Sequence, residues 1–212
     1  MRLLLLPGAH CTSRIWDRLR PYLKDYVIDA PDYPHDVTSM AERPEAIAEW
    51  VYECFHDRAY RAVIGHSLGG ILALQLAHDG MKLDRIVLLD TNLKPAGPFY
   101  RNLMTPAHME TLGDLVLPML REEGAFYNPG LRSALQESFD YTGLLRGISQ
   151  PVWAIYGDRG VPDYADRTQD LLLPEEALQR MILRFVPDAC HMMMLENPEG
   201  LYRILREVLR GE

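Results

Sequence analysis

Short apolar runs alternate along the chain with stretches in which apolar residues return every three or four positions. The runs at 2–6, 26–29, 61–65, 85–89, 151–156 and 181–186 have the length and composition of buried strands. Helical spacing occupies about 13–24, 39–56 and 69–78, with Ile47, Trp50, Val51 and Phe55 sharing one side of the second stretch. A last amphipathic helix opens at Glu196-Asn197-Pro198-Glu199 and carries Leu201, Ile204, Leu205, Val208 and Leu209 on its apolar side. Between Leu93 and Leu144 the alternation lapses. There Met104, Met109, Leu112, Leu115, Val116, Met119 and Leu120 recur at helical intervals, broken by Pro106, Pro118 and Pro129, which predicts two or three short helices. The whole pattern predicts an α/β fold: a mostly parallel sheet of about six strands with helices on both faces. Sites in such sheets collect at the carboxyl ends of the strands.

One strand-to-helix junction carries a specific chemical signal. Ala62-Val63-Ile64 leads into Gly65-His66-Ser67-Leu68-Gly69, and the aliphatic pattern from Ile71 to Ala77 leads out. A serine presented on so sharp a turn needs small residues two before and two after it, because strand and helix approach closely there. Glycine stands at both places. The helix that follows aims its N-terminal dipole and the Leu68 N–H at the serine's surroundings, where an oxyanion would develop. The plainer alternative is a Gly-Ser loop in which Ser67 merely caps the helix. Against that stands His191 in Pro187-Asp188-Ala189-Cys190-His191, directly after the strand-like Met181-Ile182-Leu183-Arg184-Phe185-Val186. A histidine on a loop leaving a strand end is placed to swing over a nucleophile.

Composition narrows the partners. A net charge of −8 without a basic stripe argues against nucleic acid and anionic membrane surfaces, and no apolar run approaches the roughly 20 residues of a membrane helix. The opening Met1-Arg2-Leu3-Leu4-Leu5-Leu6 stops at Pro7-Gly8, short of the ~7–15 apolar residues of a secretion signal core, and reads as a buried strand. Cys11, Cys54 and Cys190 are odd in number and widely spaced, which suits reduced thiols and a cytoplasmic location. The pairs His10-Cys11 and Cys190-His191 lack the spacing of a zinc knuckle, so no metal is expected. No cofactor is expected.

Leu3-Leu4-Leu5-Leu6-Pro7-Gly8, Gly65-His66-Ser67-Leu68-Gly69-Gly70, and Cys190-His191 followed by Glu196-Asn197-Pro198 together resemble the α/β-hydrolase family over nearly the whole chain. The resemblance implies a single domain over 1–212 that begins at the family's usual third strand, with a short helical cap inserted at about 94–138. It implies a serine, acid, histidine order along the chain. It also implies an oxyanion donor from the loop after the first strand, here the N–H of Ala9 beside Gly8, joining that of Leu68. The acid departs from the family pattern. After the fifth strand a Gly-x-x-Asp is usual, but Gly157 is followed by Asp158-Arg159-Gly160, so glycine holds the usual place. The expected acid is therefore Asp90, at the end of the fourth strand, with Asp158, next to the vacant position, as the alternative. Either would hold the histidine's tautomer and stabilise its imidazolium.

These readings converge on a serine hydrolase that cleaves an ester, thioester or related acyl bond through an acyl-enzyme, acting on a small molecule. Ser67 is the expected nucleophile and His191 the general base. His10, Cys11, Trp16, Leu93, Met192 and Met193 are expected around a pocket apolar enough for a small to medium hydrophobic group. Two rivals share the elbow: a carbon–carbon bond hydrolase or lyase, and a binding protein with a degenerate triad.

Overall fold

Leu3 and Leu5 pack into one apolar cluster while Leu4 and Leu6 pack into another, and all four are buried. Successive strand side chains point to opposite faces, so a run that is apolar at every position must be covered on both. The next strands repeat this, with Ile64, Val87 and Leu89 on one side and Val63, Ile86 and Leu88 on the other. The computed structural model describes residues 1–136 and 139–210. Its six strands are β1 (Arg2–Leu6), β2 (Val27–Asp29), β3 (Ala62–His66), β4 (Ile86–Leu89), β5 (Val152–Gly157) and β6 (Met181–Val186). They lie in the order β2-β1-β3-β4-β5-β6, and each adjacent pair is parallel.

Eight α-helices accompany them among the described residues: α1 (His35–Met40), α2 (Pro44–Phe55), α3 (Leu68–His78), α4 (Pro106–Gly124), α5 (Pro129–Gln136), α6 (Glu175–Gln179), α7 (Met193–Glu196) and α8 (Pro198–Arg210). Ile47, Ala48 and Val51 of α2 and Leu72 and Leu76 of α3 fill one face of the sheet. Leu201, Leu205, Val208 and Leu209 of α8 fill the other, with Ile15, Trp16 and Leu19. None of these helices is long and apolar enough to cross a membrane.

Three expectations about the helices need correction, each at a proline. The helix expected over 13–24 is two 3-10 turns, Ser13–Trp16 and Arg20–Leu23, because Pro21 has no N–H to continue a helical ladder. The helix expected over 39–56 is interrupted at Ala41–Arg43, and Pro44 restarts it as the first residue of α2, where a missing N–H costs nothing. Conversely, Pro118 lies inside α4 without ending it. Val116 is buried, and Met109, Leu112, Met119 and Leu120 pack against the same cluster. Burial of apolar groups on both sides of the proline outweighs its penalty of about 3 kcal/mol. The segment expected as a cap thus holds one 19-residue helix and the shorter α5. Its last two positions, 137 and 138, fall outside the described residues.

Candidate active site

Ser67 has φ 51° and ψ −116°, a conformation strained for any residue with a side chain. Its main chain is held on three sides. The N–H donates to Leu89 O at 2.9 Å, and its carbonyl accepts from Gly70 N at 3.0 Å and from Thr91 Oγ1 at 3.1 Å. The surrounding glycines are required by space: a Cβ at Gly65 would lie 2.0 Å from Gly69 O, one at Gly69 would lie 2.2 Å from Leu6 O, and one at Gly70 would lie 2.0 Å from Thr91 Oγ1. Gly8 is a fourth case, since its Cβ would meet His66 Nδ1 at 2.7 Å. The loop after β1 therefore presses against the elbow, and Ala9 and Leu68 line the same cavity as Ser67.

His191 leaves β6 on its loop and comes to the end of β4. Its Nδ1 lies 3.2 Å from Asp90 Oδ1; a carboxylate only accepts, so Nδ1 carries a proton, and the neutral ring is the tautomer with its lone pair on Nε2. His66 supports the same loop through Nε2, which lies 3.0 Å from the carbonyl oxygen of His191. Burial, then the nearness of His191, holds the His66 imidazole well below its ordinary pKa, so His66 is neutral and Nε2 is the donor. Among the described residues no hydrogen bond joins Ser67 Oγ to His191; such contacts are often loose before substrate binds.

Asp90 is fully buried with φ 44°, and its two oxygens face four donors. Arg159 Nη1 reaches Oδ2 at 2.7 Å and Nη2 reaches Oδ1 at 2.8 Å, while Gly157 N reaches Oδ2 at 3.3 Å and His191 completes the set. Burial alone would raise this carboxyl, but the charge of Arg159 and the hydrogen bonds from His191 and Arg159 hold it well below the usual range. Asp158 lies elsewhere. It is turned neither to solvent nor to Arg159; its Oδ1 accepts from Gly160 N at 2.8 Å and Asp188 N at 2.7 Å, tying the loop after β5 to the loop after β6.

His10, Cys11 and Met192 line the cavity, which holds about 330 Å³. Trp16, Leu93 and Met193 do not line it, contrary to expectation. Each is buried in the core, Leu93 on the α2–α3 side and Trp16 and Met193 on the α8 side, where large apolar groups lose the most water. Leu103, Leu120, Phe139 and Arg132 line the cavity instead. Burial pushes the Cys11 and Cys190 thiols up to about 12, so neither is a thiolate nucleophile. Arg159 escaped the sequence reading altogether; the one hint was a cation beside the vacant acid position. Among the described residues no group of three or more His, Cys, Asp or Glu side chains is arranged to hold a metal ion.

Glu196 staples the catalytic-side loop to α4. Its buried carboxylate accepts from Cys190 N at 2.8 Å and from Thr105 N at 2.9 Å, the residue that caps α4. Replacing it with alanine strands both N–H groups, each worth about 1–3 kcal/mol when unsatisfied. Glu196→Ala is therefore expected to lose about 2–6 kcal/mol in urea unfolding; a loss below about 1 kcal/mol would show that water replaces the carboxylate.

Residues 3–204 match the model of the alpha/beta hydrolase family. A pimeloyl-[acyl-carrier protein] methyl ester esterase from Vibrio campbellii (strain ATCC BAA-1116) is 36% identical over 80 residues, which span 35% of this chain and 30% of that relative. Among solved structures, Est816, described as an N-acyl homoserine lactone degrading enzyme, superposes with a TM-score of 0.72 at 15% identity, covering 97% of this chain and 92% of the other. Carboxylesterase CesB from Bacillus subtilis gives 0.66 at 20% identity, over 100% and 84%.

Proposed function

The chain belongs to the alpha/beta hydrolase family, and on that premise we propose that it is a serine hydrolase that cleaves a carboxylic ester, thioester or related acyl bond through an acyl-enzyme. The observation that carries this reading is the meeting, in one cavity, of a serine held at positive φ with a histidine whose Nδ1 is committed to a buried carboxylate. That commitment leaves His191 Nε2 to take the Ser67 proton. Oγ then attacks the acyl carbon, and the Ala9 and Leu68 N–H groups receive the oxyanion. Collapse expels the alcohol or thiol, which takes the proton back from His191, and water repeats the sequence to release the acid.

The cavity suits a small to medium hydrophobic acyl or alcohol group, because Ile71, Leu103, Leu120, Leu135, Phe139 and Met192 contribute to its walls. The ester chemistry named for the Vibrio campbellii relative is consistent with that wall. The binding-protein alternative leans on glycine at 160, and the placement of Asp90 beside His191 argues against it. A fluorophosphonate probe tests the reading, with labelling of Ser67 expected and an unlabelled, folded protein counting against it. Substrate profiling with p-nitrophenyl esters beside carbon–carbon substrates separates the reaction classes.

Acidification should stop the reaction, because a protonated His191 has no lone pair for the serine proton. His66 does not set this limb, since burial keeps it neutral. The expected profile of kcat/KM is a rate falling toward low pH with a single-proton slope. A level rate throughout the range in which histidines titrate would exclude His191 as the base.

A further inference from the structure

We propose that Arg159 is a positioning residue for the Asp90–His191 pair: its guanidinium clamps both carboxylate oxygens and draws part of their charge away from the imidazole. His191 thereby stays an unprotonated base at lower pH than it would beside a lone aspartate. For its catalytic consequence the inference rests on the serine-hydrolase reading; its geometry is independent of it.

Arg159 connects the loop after β5, the end of β4 and the loop that carries His191. Its backbone N–H donates to Ala189 O at 2.9 Å, two residues before His191, while its side chain crosses to Asp90 at the end of β4. Nη1 also donates to Gly157 O at 2.7 Å, and the guanidinium lies 4.5 Å from the centre of the Tyr100 ring. The backbone adopts φ 58° to make this possible. At 2% side-chain exposure against 0% for Asp90, the pair is shielded from water and salt, so its charges act on each other at short range. Above all, one oxygen is shared. Asp90 Oδ1 accepts from Arg159 at 2.8 Å and from His191 at 3.2 Å, so the arginine makes the closer contact with the oxygen that the histidine needs.

Besides Arg159, the cation that lines the cavity with the pair is Arg132; it is the same in the wild-type and Arg159 variants, so a difference between them reads Arg159 alone. Facing His191 are Asp90, the neutral His66 ring at 4.5 Å between centroids, and the Cys190 thiol, pushed up to about 12. Facing Asp90, besides Arg159 and His191, are Tyr100 and Tyr156, whose phenols burial pushes up. Of the carboxylates on or against that loop, Asp188 is exposed, Asp158 accepts from backbone N–H groups, and Glu196 accepts from backbone N–H groups with His108 Nδ1 3.4 Å away.

The sign follows from removing the cation. With Arg159→Gln the Asp90 charge is no longer shared, the Asp90–His191 pair holds a proton more tightly, and its titration midpoint moves up. The test is a histidine-ring NMR titration of His191 in the full chain, read beside kcat and KM, for the wild-type, Arg159→Gln and Arg159→Lys proteins. Arg159→Gln is expected to raise the midpoint by about one pH unit and to carry the acid limb of kcat/KM with it. It should also lower kcat on the order of tenfold to a hundredfold with little change in KM. Arg159→Lys should bring the midpoint back toward wild type but recover only part of kcat, because one ammonium cannot grip two oxygens as a fork does. An unchanged midpoint in folded Arg159→Gln overturns the inference, as a purely structural ion pair would lose stability without moving the titration. Should Arg159→Gln fail to fold, Arg159→Lys decides: lowered kcat at unchanged KM supports the clamp, and wild-type kcat overturns it. The NMR midpoint is read whether or not ester is turned over. A shift in a protein whose Ser67 resists fluorophosphonate would therefore sink the hydrolase reading alone, and an unshifted midpoint in a labelled protein would sink this inference alone.

Discussion

Replacing Ser67 with alanine is expected to lower turnover of an activated short-chain ester by about 10⁴- to 10⁶-fold and to leave the fold in place. The nucleophile is not a contributor whose loss the rest of the site can share. Without Oγ no acyl-enzyme forms, and what remains is the oxyanion donors and binding acting on water. The fold should tolerate the change because the strained turn is held by main-chain contacts. The Ser67 N–H still meets Leu89 O, and its carbonyl still meets Gly70 N and Thr91 Oγ1. Alanine is the smallest residue with a Cβ, so it adds no bulk at φ 51°. Urea unfolding should shift by no more than about 1 kcal/mol, and fluorophosphonate labelling should vanish. A Ser67→Ala protein with near-normal turnover would remove the nucleophile from this assignment and the acyl-enzyme with it.

The second large effect separates two aspartates. Asp90→Asn should cost about 10³- to 10⁴-fold in kcat, because an amide that turns its NH₂ toward His191 Nδ1 meets another donor and releases the imidazole from its tautomer. The same substitution leaves Arg159 buried without its counter-charge, which breaks an ion pair at a cost of about 3–5 kcal/mol. Activity is therefore to be compared where circular dichroism shows the variant folded. Asp158→Asn should act differently. Its amide oxygen still accepts from Gly160 N and Asp188 N, so kcat is expected to stay within about threefold of wild type. If Asp158→Asn were the variant that lost turnover and Asp90→Asn were not, the acid would belong to the loop after β5. Damage from neither would leave His191 without a working carboxylate and revive the binding-protein alternative.

Much of this molecule was legible from local rules. Apolar runs of strand length fill both faces of the sheet because side-chain direction alternates along a strand whatever surrounds it, as Leu3 through Leu6 show. Gly65 was equally readable, since its Cβ would meet Gly69 four residues on, whereas Gly69 and Gly70 are kept small by Leu6 of β1 and Thr91 after β4, neighbours that only the fold brings close. Proline was harder. Pro21 and Pro44 acted locally as expected of a residue without an N–H, whereas the fate of α4 at Pro118 depended on what Val116, Met119 and Leu120 packed against.

Side-chain direction in short turns and loops was not legible. Trp16, Leu93 and Met193 have the chemistry of a pocket wall and the sequence neighbours of one, yet each is packed in the core. The expectation of Asp90 over Asp158 rested on a departure from the family pattern rather than on side-chain direction. Asp90 and Asp158 both end strands, and only three-dimensional placement sets Asp90 beside His191, 101 residues away in sequence, and beside Arg159, 69 residues away. Periodicity and steric fit between near neighbours determined the sheet and the serine turn from sequence alone. Which carboxylate meets the histidine, and that an arginine grips it, was decided only by tertiary structure, because such contacts arise from several loops converging and no spacing along the chain encodes where their side chains meet.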